Sequence, residues 1–204
     1  MTAPAPLMRA HLDRVGETGV AVVRGAVPPS TLSPLLDELD TLPFTAPPPD
    51  ALPAAAGSEL AVLRHWSGGY PALARLRDDL VDRVRRAGHG ISGLDGPDEW
   101  LPNEVFVRRY LPATTGMSPH VDGVRFRYLV ATLTVCGAAT FRVHDDTGAV
   151  RRQWGVGPGD LVLIRGPGLG GVADGRPRHS VGGPGAHHRC SVAFRMNSQP
   201  NGAG

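Results

Sequence analysis

The chain of 204 residues contains no lysine, so its 21 basic residues are all arginine, and it has only two cysteines. Without lysine there is no Gly-Lys-Ser/Thr, and the glycine run over residues 166–175 is no phosphate-cradling loop; it reads as a flexible loop near a site mouth. Cys136 and Cys190 sit in apolar, strand-like runs. This excludes a disulfide framework and points to buried reduced thiols rather than metal ligands. Nowhere do about 18 uncharged apolar residues run together, which excludes a membrane helix, and the first residues lack the apolar stretch of a signal peptide. A cytoplasmic protein with no membrane partner is expected. No internal repeat is visible.

What is present bounds the fold. A hydrophobic content of 41% supports a sizeable core, and the length suits a single domain over 1–204. Charge is divided unevenly: residues 1–102 hold 9 arginines against 13 acids, net −4, whereas residues 103–204 hold 12 against 6, net +6. A cationic second half suits an anionic co-substrate, and an acidic first half argues against a long nucleic-acid groove. Arginine serving simply as solvated surface charge is the alternative.

In the first half, residues 6–17 form an amphipathic helix candidate and residues 19–24 a buried strand. Ser33 and Pro34 suit the N-cap and first position of a second helix, with Leu35, Leu36 and Leu39 as its apolar face. Residues 43–57, rich in Pro and Ala, read as a mobile loop or lid, and residues 59–66 as a strand. Pro71 opens the clearest helix, with Leu73, Leu76, Leu80, Val81 and Val84 at helical spacing and Gly88 and Gly90 ending it; it is expected to buttress a sheet. After Pro102 strands alternate with turns: 104–111, 126–136, 139–144, 149–154, 160–165 and 188–196, a hairpin at 145–148 and a tight turn at 157–160 among them. The expected class is α+β, mainly β, an antiparallel barrel or jelly roll with N-terminal helices packed on the sheet.

His-x-Asp occurs three times. In His11-Leu12-Asp13 the helical spacing drives the two side chains apart, and His144-Asp145-Asp146 sits at a hairpin turn, where a structural role suffices. His120-Val121-Asp122 differs: it follows a Pro/Gly loop, residues 112–119, and leads into a long apolar strand, at the rim of the barrel. In an extended segment i and i+2 share a face, so both side chains can grip one metal while His179 supplies a third ligand. Two His and one carboxylate on one side of Fe(II) leave positions open for chemistry. His179 alone would more often be structural, and His187 and His188 compete for its role. Downstream, Arg189, Ser191 and Arg195 share one strand face, a fork and a hydroxyl that would be costly to bury without an anion. An edge strand with its arginines in water is the alternative.

In order along the chain, Asn103-Glu-Val-Phe-Val-Arg-Arg-Tyr110-Leu-Pro, His120-x-Asp122, Gly159-Asp160-Leu-Val, His179-Ser-Val and Arg189-x-Ser-x-x-Phe-Arg195 resemble the Fe(II)/2-oxoglutarate-dependent dioxygenases, and within them the AlkB-like branch. The resemblance covers residues 103–197. It implies a catalytic double-stranded β-helix (cupin-like) core over 103–197, with 1–102 as a helical and lid extension. It also implies iron on His120, Asp122 and His179, and the distal carboxylate of 2-oxoglutarate on Arg189 with Tyr110 and Ser191. Arg195 would approach the metal-bound end. Arg108 stands where AlkB proteins carry Asn, Ser191 also departs from their pattern, and the loop from His179 to Arg189 is shorter.

The activity so implied converts 2-oxoglutarate and O2 to succinate and CO2 while a small-molecule substrate is hydroxylated, desaturated or cyclised. Asp122 fills the position a halide would need, which disfavours halogenation. The Pro/Ala lid with Trp66, Tyr70 and Trp100 could wall the substrate, though each aromatic also suits a core. Two rivals stand beside this reading: a demethylase of alkylated nucleic-acid bases, and a non-enzymatic cupin-like metal- or ligand-binding module.

Overall fold

Residues 5–47, 57–64, 69–91 and 93–199 are described by the structure, a computed structural model. They form helices α1 (Ala5–Thr18), α2 (Pro29–Leu39) and α3 (Pro71–Gly88). The strands are β1 (Val20–Val23), β2 (Ser58–Arg64), β3 (Glu104–Tyr110), β4 (Gly116–His120), β5 (Phe126–Cys136), β6 (Ala139–His144), β7 (Val150–Val156), β8 (Leu161–Arg165), β9 (Arg178–Gly182) and β10 (Arg189–Asn197). One sheet runs β1-β8-β5-β10-β3-β2 and a second runs β4-β9-β6-β7. Every described pairing is antiparallel. The protein is mainly β, with two sheets facing one another and the helices outside the larger. Strands β1 and β2 come from the first half of the chain and complete the larger sheet at its two edges.

Period-2 alternation decides what each face holds. On β5, Leu129, Ala131, Leu133 and Val135 face the helices, as do Cys190, Val192 and Phe194 of β10 and Val105 and Val107 of β3. They meet Met8, Leu12 and Val15 of α1 and Leu73, Leu80 and Val84 of α3 in the main core. The intervening residues face the second sheet: Val130, Val162, Ile164 and Ala193 pack with Phe141 and Val156 in a smaller apolar cluster. Into that same inner layer β10 sends Arg189, Ser191 and Arg195, and β3 sends Phe106, Arg108 and Tyr110. Apolar burial at about 25 cal/mol per Å² on the helix side holds a sheet whose inner face carries polar groups.

Helix α3 begins at Pro71 and buries Leu73, Leu76, Leu80, Val81 and Val84, as its spacing predicts, and packs on α1 and α2 over the sheet. Helix α2 starts earlier than Ser33 and Pro34 suggest: Pro28 is the N-cap, Pro29 opens the helix and Pro34 lies inside it. Pro29 has its φ preset and no N–H to lose at the first position. Burial of Leu32, Leu35 and Leu39, about 1.5–3 kcal/mol each, outweighs the cost of about 3 kcal/mol for Pro34 within the helix. Strand β4 falls where a Pro/Gly loop is expected. Gly116, at φ +87°, lets β4 approach β9 so closely that a Cβ there would lie 2.1 Å from the Val181 carbonyl oxygen. A register shift between Met117 and His120 interrupts the alternation that would have marked the strand.

The expected lid lies mostly outside the described residues, as do Trp66 and residue 65 of the expected strand 59–66. The glycine run is docked rather than loose: Leu169 is fully buried in the main core, and the Gly170 amide donates to the Asp95 carbonyl at 2.8 Å. No described helix is long and apolar enough to cross a membrane.

Asp160 ties the turn before β8 to the loop after β1. Its carboxylate accepts from the Gly25 and Gly157 amides, each at 3.0 Å, and from Arg24 Nη1 at 2.7 Å. Burial alone would raise its pKa, but these bonds prevail and hold it below the ordinary carboxylate value. Because the folded pKa is the lower one, the stabilisation is present above the unfolded pKa and is lost as pH falls through the folded one. Urea unfolding of Asp160→Asn against wild type is expected to show a loss of about 1–3 kcal/mol at neutral pH, narrowing as the pH drops below the carboxylate range. A gap that stays constant with pH would contradict the assignment.

Candidate functional site

His120 is the last residue of β4, His179 is in β9, and the two are direct cross-strand partners. Their rings lie 4.3 Å apart, centroid to centroid. Asp122 lies in the loop beyond β4, so it reaches the pair through a turn and not, as the spacing suggests, by sharing one strand face with His120. Its Oδ1 is 3.9 Å from His120 Nε2 and its Oδ2 is 4.0 Å from His179 Nε2. The three ligand atoms lie within 4.8 Å of one another, the one such group of His, Cys, Asp or Glu among the described residues. Bonds of about 2.0–2.2 Å let one ion bridge donors about 4 Å apart.

Both rings are held for that task. Nδ1 of His120 bonds the Ser118 carbonyl at 2.9 Å, and Nδ1 of His179 bonds the Pro177 carbonyl at 3.1 Å. A carbonyl only accepts, so each Nδ1 carries the proton and each Nε2 presents its lone pair to the shared point. His179 is further fixed by stacking on Phe141, 5.4 Å between centroids at 23°. Burial, helped by His179 alongside, pushes the pKa of His120 down to about 4, so it is neutral, the ligating form, at neutral pH. Arg176 Nη1 donates to the Asp122 carbonyl and is itself gripped by Asp174 at 2.7 and 2.8 Å, which pins the loop. Asp122 Oδ2 is buried without a hydrogen-bond partner, an acceptor a cation would satisfy. The donor set and its orphaned oxygen fit a divalent transition metal.

The same cavity holds the basic cluster. Pairing of β10 with β3 sets Arg189 opposite Tyr110, Ser191 opposite Arg108 and Arg195 opposite Glu104. Pairing with β5 sets Ser191 opposite Thr134. Arg189 is 3% exposed, and among the described residues its guanidinium meets hydroxyl oxygens, Ser191 Oγ at 3.3 Å, Thr134 Oγ1 at 3.1 Å and that of Tyr110, whose ring it also faces. Its Nε has no partner, and burial lowers its pKa. A buried cation without a counter-charge costs several kcal/mol unless an anion binds. Arg195 differs: it is sandwiched between the rings of Phe106 and Phe126 and sits 3.7 Å from Glu104. The edge-strand alternative fails, since β10 lies between β5 and β3.

Several expectations place elsewhere. Trp100 is fully buried and donates to the Leu129 carbonyl at 2.8 Å, a core residue and no substrate wall; Tyr70 packs against the same core at the start of α3. The walls are instead Phe106, Met117 and Phe141. Phe106 follows from the alternation it shares with Arg108 and Tyr110; Phe141 and Thr134 require the cross-strand register. His144 bonds Gly148 within the hairpin that Asp145 caps and Ser180 of the neighbouring β9. Cys136 and Cys190 are free thiols whose pKa values burial raises, Cys190 to about 12.

Replacing His120, Asp122 or His179 singly by Ala is expected to abolish binding of Fe(II), or of Mn(II) as its stand-in, with far-UV circular dichroism unchanged. Arg176→Ala, which frees the Asp122 loop but removes no ligand, is expected to weaken the metal by roughly 10- to 100-fold. Metal titration by calorimetry reads both. Wild-type affinity in His179→Ala would remove that residue from the site.

No known family model matches the chain, and no curated sequence relative is found. Solved structures do resemble it. A prolyl hydroxylase from Trichoplax adhaerens, in complex with a hypoxia inducible factor oxygen degradation domain peptide fragment, superposes with TM-score 0.65 at 12% identity, covering 96% of this chain and 91% of its own. A Pseudomonas putida prolyl-4-hydroxylase gives 0.60 at 16%, covering 94% and 100%. At such identities the likeness is one of fold: the two facing sheets with helices on the larger are the jelly-roll-like architecture of these hydroxylases.

Proposed function

We propose that the protein is an Fe(II)/2-oxoglutarate-dependent dioxygenase acting on a small molecule, with residues 103–197 as a double-stranded β-helix core and 1–102 as its extension. One observation carries the reading: a two-His, one-carboxylate set and a buried, uncompensated arginine face the same cavity. The fold likeness to two prolyl hydroxylases supports it. Placement in the AlkB-like branch rests on motif order alone.

In this reading His120, Asp122 and His179 hold Fe(II) from one side. The metal and 2-oxoglutarate together supply activation of O2, with succinate and CO2 as co-products. Arg189 takes the distal carboxylate as a fork, with Ser191 and Tyr110 beside it, and Arg195 borders the metal-proximal end. The Nδ1 bonds to Ser118 and Pro177 keep both imidazoles in one tautomer. Phe106, Phe141 and Val181 keep water from the inner layer. Hydroxylation of a positioned C–H is the favoured outcome, with desaturation or cyclisation as variants of the same chemistry.

A peptide substrate is the second reading, and the fold neighbour solved with a peptide bound favours it. Against nucleic acid stands the net −4 of residues 1–102. Succinate release from 2-oxoglutarate, strictly dependent on Fe(II) and O2, tests the activity. Stimulation by a small-molecule library, by proline-containing peptides or by methylated oligonucleotides separates the substrate classes. No turnover of 2-oxoglutarate under any of them would favour the cupin-like binding module. Arg189→Ala is expected to weaken 2-oxoglutarate binding by about 2–4 kcal/mol, and Arg189→Lys to recover little, since a point charge does not reproduce the fork. Calorimetry with Mn(II) reads the loss, and equal affinity in wild type and Arg189→Ala would move the clamp elsewhere.

A further inference from the structure

The cavity holds a second buried cation that the proposed chemistry does not use. Arg108 is 7% exposed, donates through Nη1 to Ser58 Oγ at 2.8 Å, and leaves Nε without a partner. Among the described residues no carboxylate pairs with it; the charged group beside it is Arg195, and burial lowers the pKa of Arg108. Arg195 is no substitute for a counter-ion, and Arg195 already shares Glu104 with Arg64.

In and beneath the cavity, Arg108, Arg189 and Arg195 stand against Asp122 and Glu104, and Glu104 is also shared with Arg64, so positive charge is in excess. A divalent metal and the dianion of 2-oxoglutarate cancel, so loading the site does not remove the excess. Position says where the compensating anion belongs. Arg108 lines the inner cavity with Arg189, and it also lines the outer opening where His120, Asp122 and Val121 meet Arg125 at the exposed rim. It therefore stands between the co-substrate clamp and the space through which a substrate reaches the metal.

We propose that Arg108, supported by Ser58, receives a carboxylate of the substrate, which is accordingly a compact carboxylic acid. This rests on the dioxygenase reading and names the substrate class for it. One unpaired fork suits one carboxylate. The neighbouring walls, Phe106, Met117 and Phe126, suit an apolar remainder. Arg125 at the rim attracts the same charge sign on approach.

The test uses full-length protein loaded with Mn(II) and 2-oxoglutarate, which binds without turnover, and the matched probes 3-methylbutanoate and 3-methylbutanamide. Calorimetry is expected to show the carboxylate binding wild type about tenfold or more tighter than the amide, the effect of one charge-assisted bond. Arg108→Gln is expected to lose that preference while its 2-oxoglutarate affinity stays within about threefold of wild type. Equal binding of acid and amide to wild type would overturn the proposal, as would a loss of 2-oxoglutarate affinity in Arg108→Gln as large as in Arg189→Ala, which would place Arg108 in the co-substrate clamp. Arg108→Met gives a readout free of ligand. Removal of an uncompensated buried charge is expected to leave the melting temperature equal or higher, and a fall of several degrees would mark Arg108 as structural and overturn the assignment. If wild type fails to bind 2-oxoglutarate at all, the dioxygenase reading falls; intact 2-oxoglutarate binding without acid preference removes only the role of Arg108.

Discussion

A guanidinium buried between two sheets, with hydroxyl oxygens for partners and no carboxylate among the described residues, is the constraint on which the rest of this molecule turns. Arg189 cannot be there for stability, because an unpaired buried charge opposes folding by several kcal/mol. The apolar face on the other side of the same strand offsets that cost: Cys190, Val192 and Phe194 alternate with Arg189, Ser191 and Arg195 and are sealed by α1 and α3. The helices are thus part of the site at one remove. They supply the burial that lets β10 sit at the centre of the sheet with its polar side chains turned inward.

The smaller sheet has the complementary task. Close contact of β4 with β9, which Gly116 permits, sets His120 and His179 side by side, and the loop that follows β4 swings Asp122 across them. Hydrogen bonds to backbone carbonyls fix both rings, while Arg176, held by Asp174, fixes the loop. The proposed metal ligands therefore come from the smaller sheet and the proposed anion clamp from the larger, and both face the space between the sheets.

Much of this arrangement is legible in the amino-acid sequence. Strands β5 and β6, apolar runs bounded by turn residues, match their expected bounds, and α3 follows from the leucine spacing behind Pro71. His120, Asp122 and His179 come together where spacing and order put them, although Asp122 arrives by a turn and His179 by direct pairing with β4. What stays hidden depends on register or on competition. No local pattern says that Ser191 lies opposite Thr134, or that Phe141 stacks on His179. The bulge in β4 erases its alternation, and Pro34 outweighs the Pro28-Pro29 pair in any local reading of α2. Trp100 suits core or wall by composition, and only packing decides.

One metal ion and one dicarboxylate are expected to bind together between the sheets. A crystal structure of the protein grown with Mn(II) and 2-oxoglutarate tests it most directly. The ion is expected on His120 Nε2, an Asp122 carboxylate oxygen and His179 Nε2, with the distal carboxylate of 2-oxoglutarate on the Arg189 fork. A metal held by other residues, or a dicarboxylate bound away from Arg189, would contradict it.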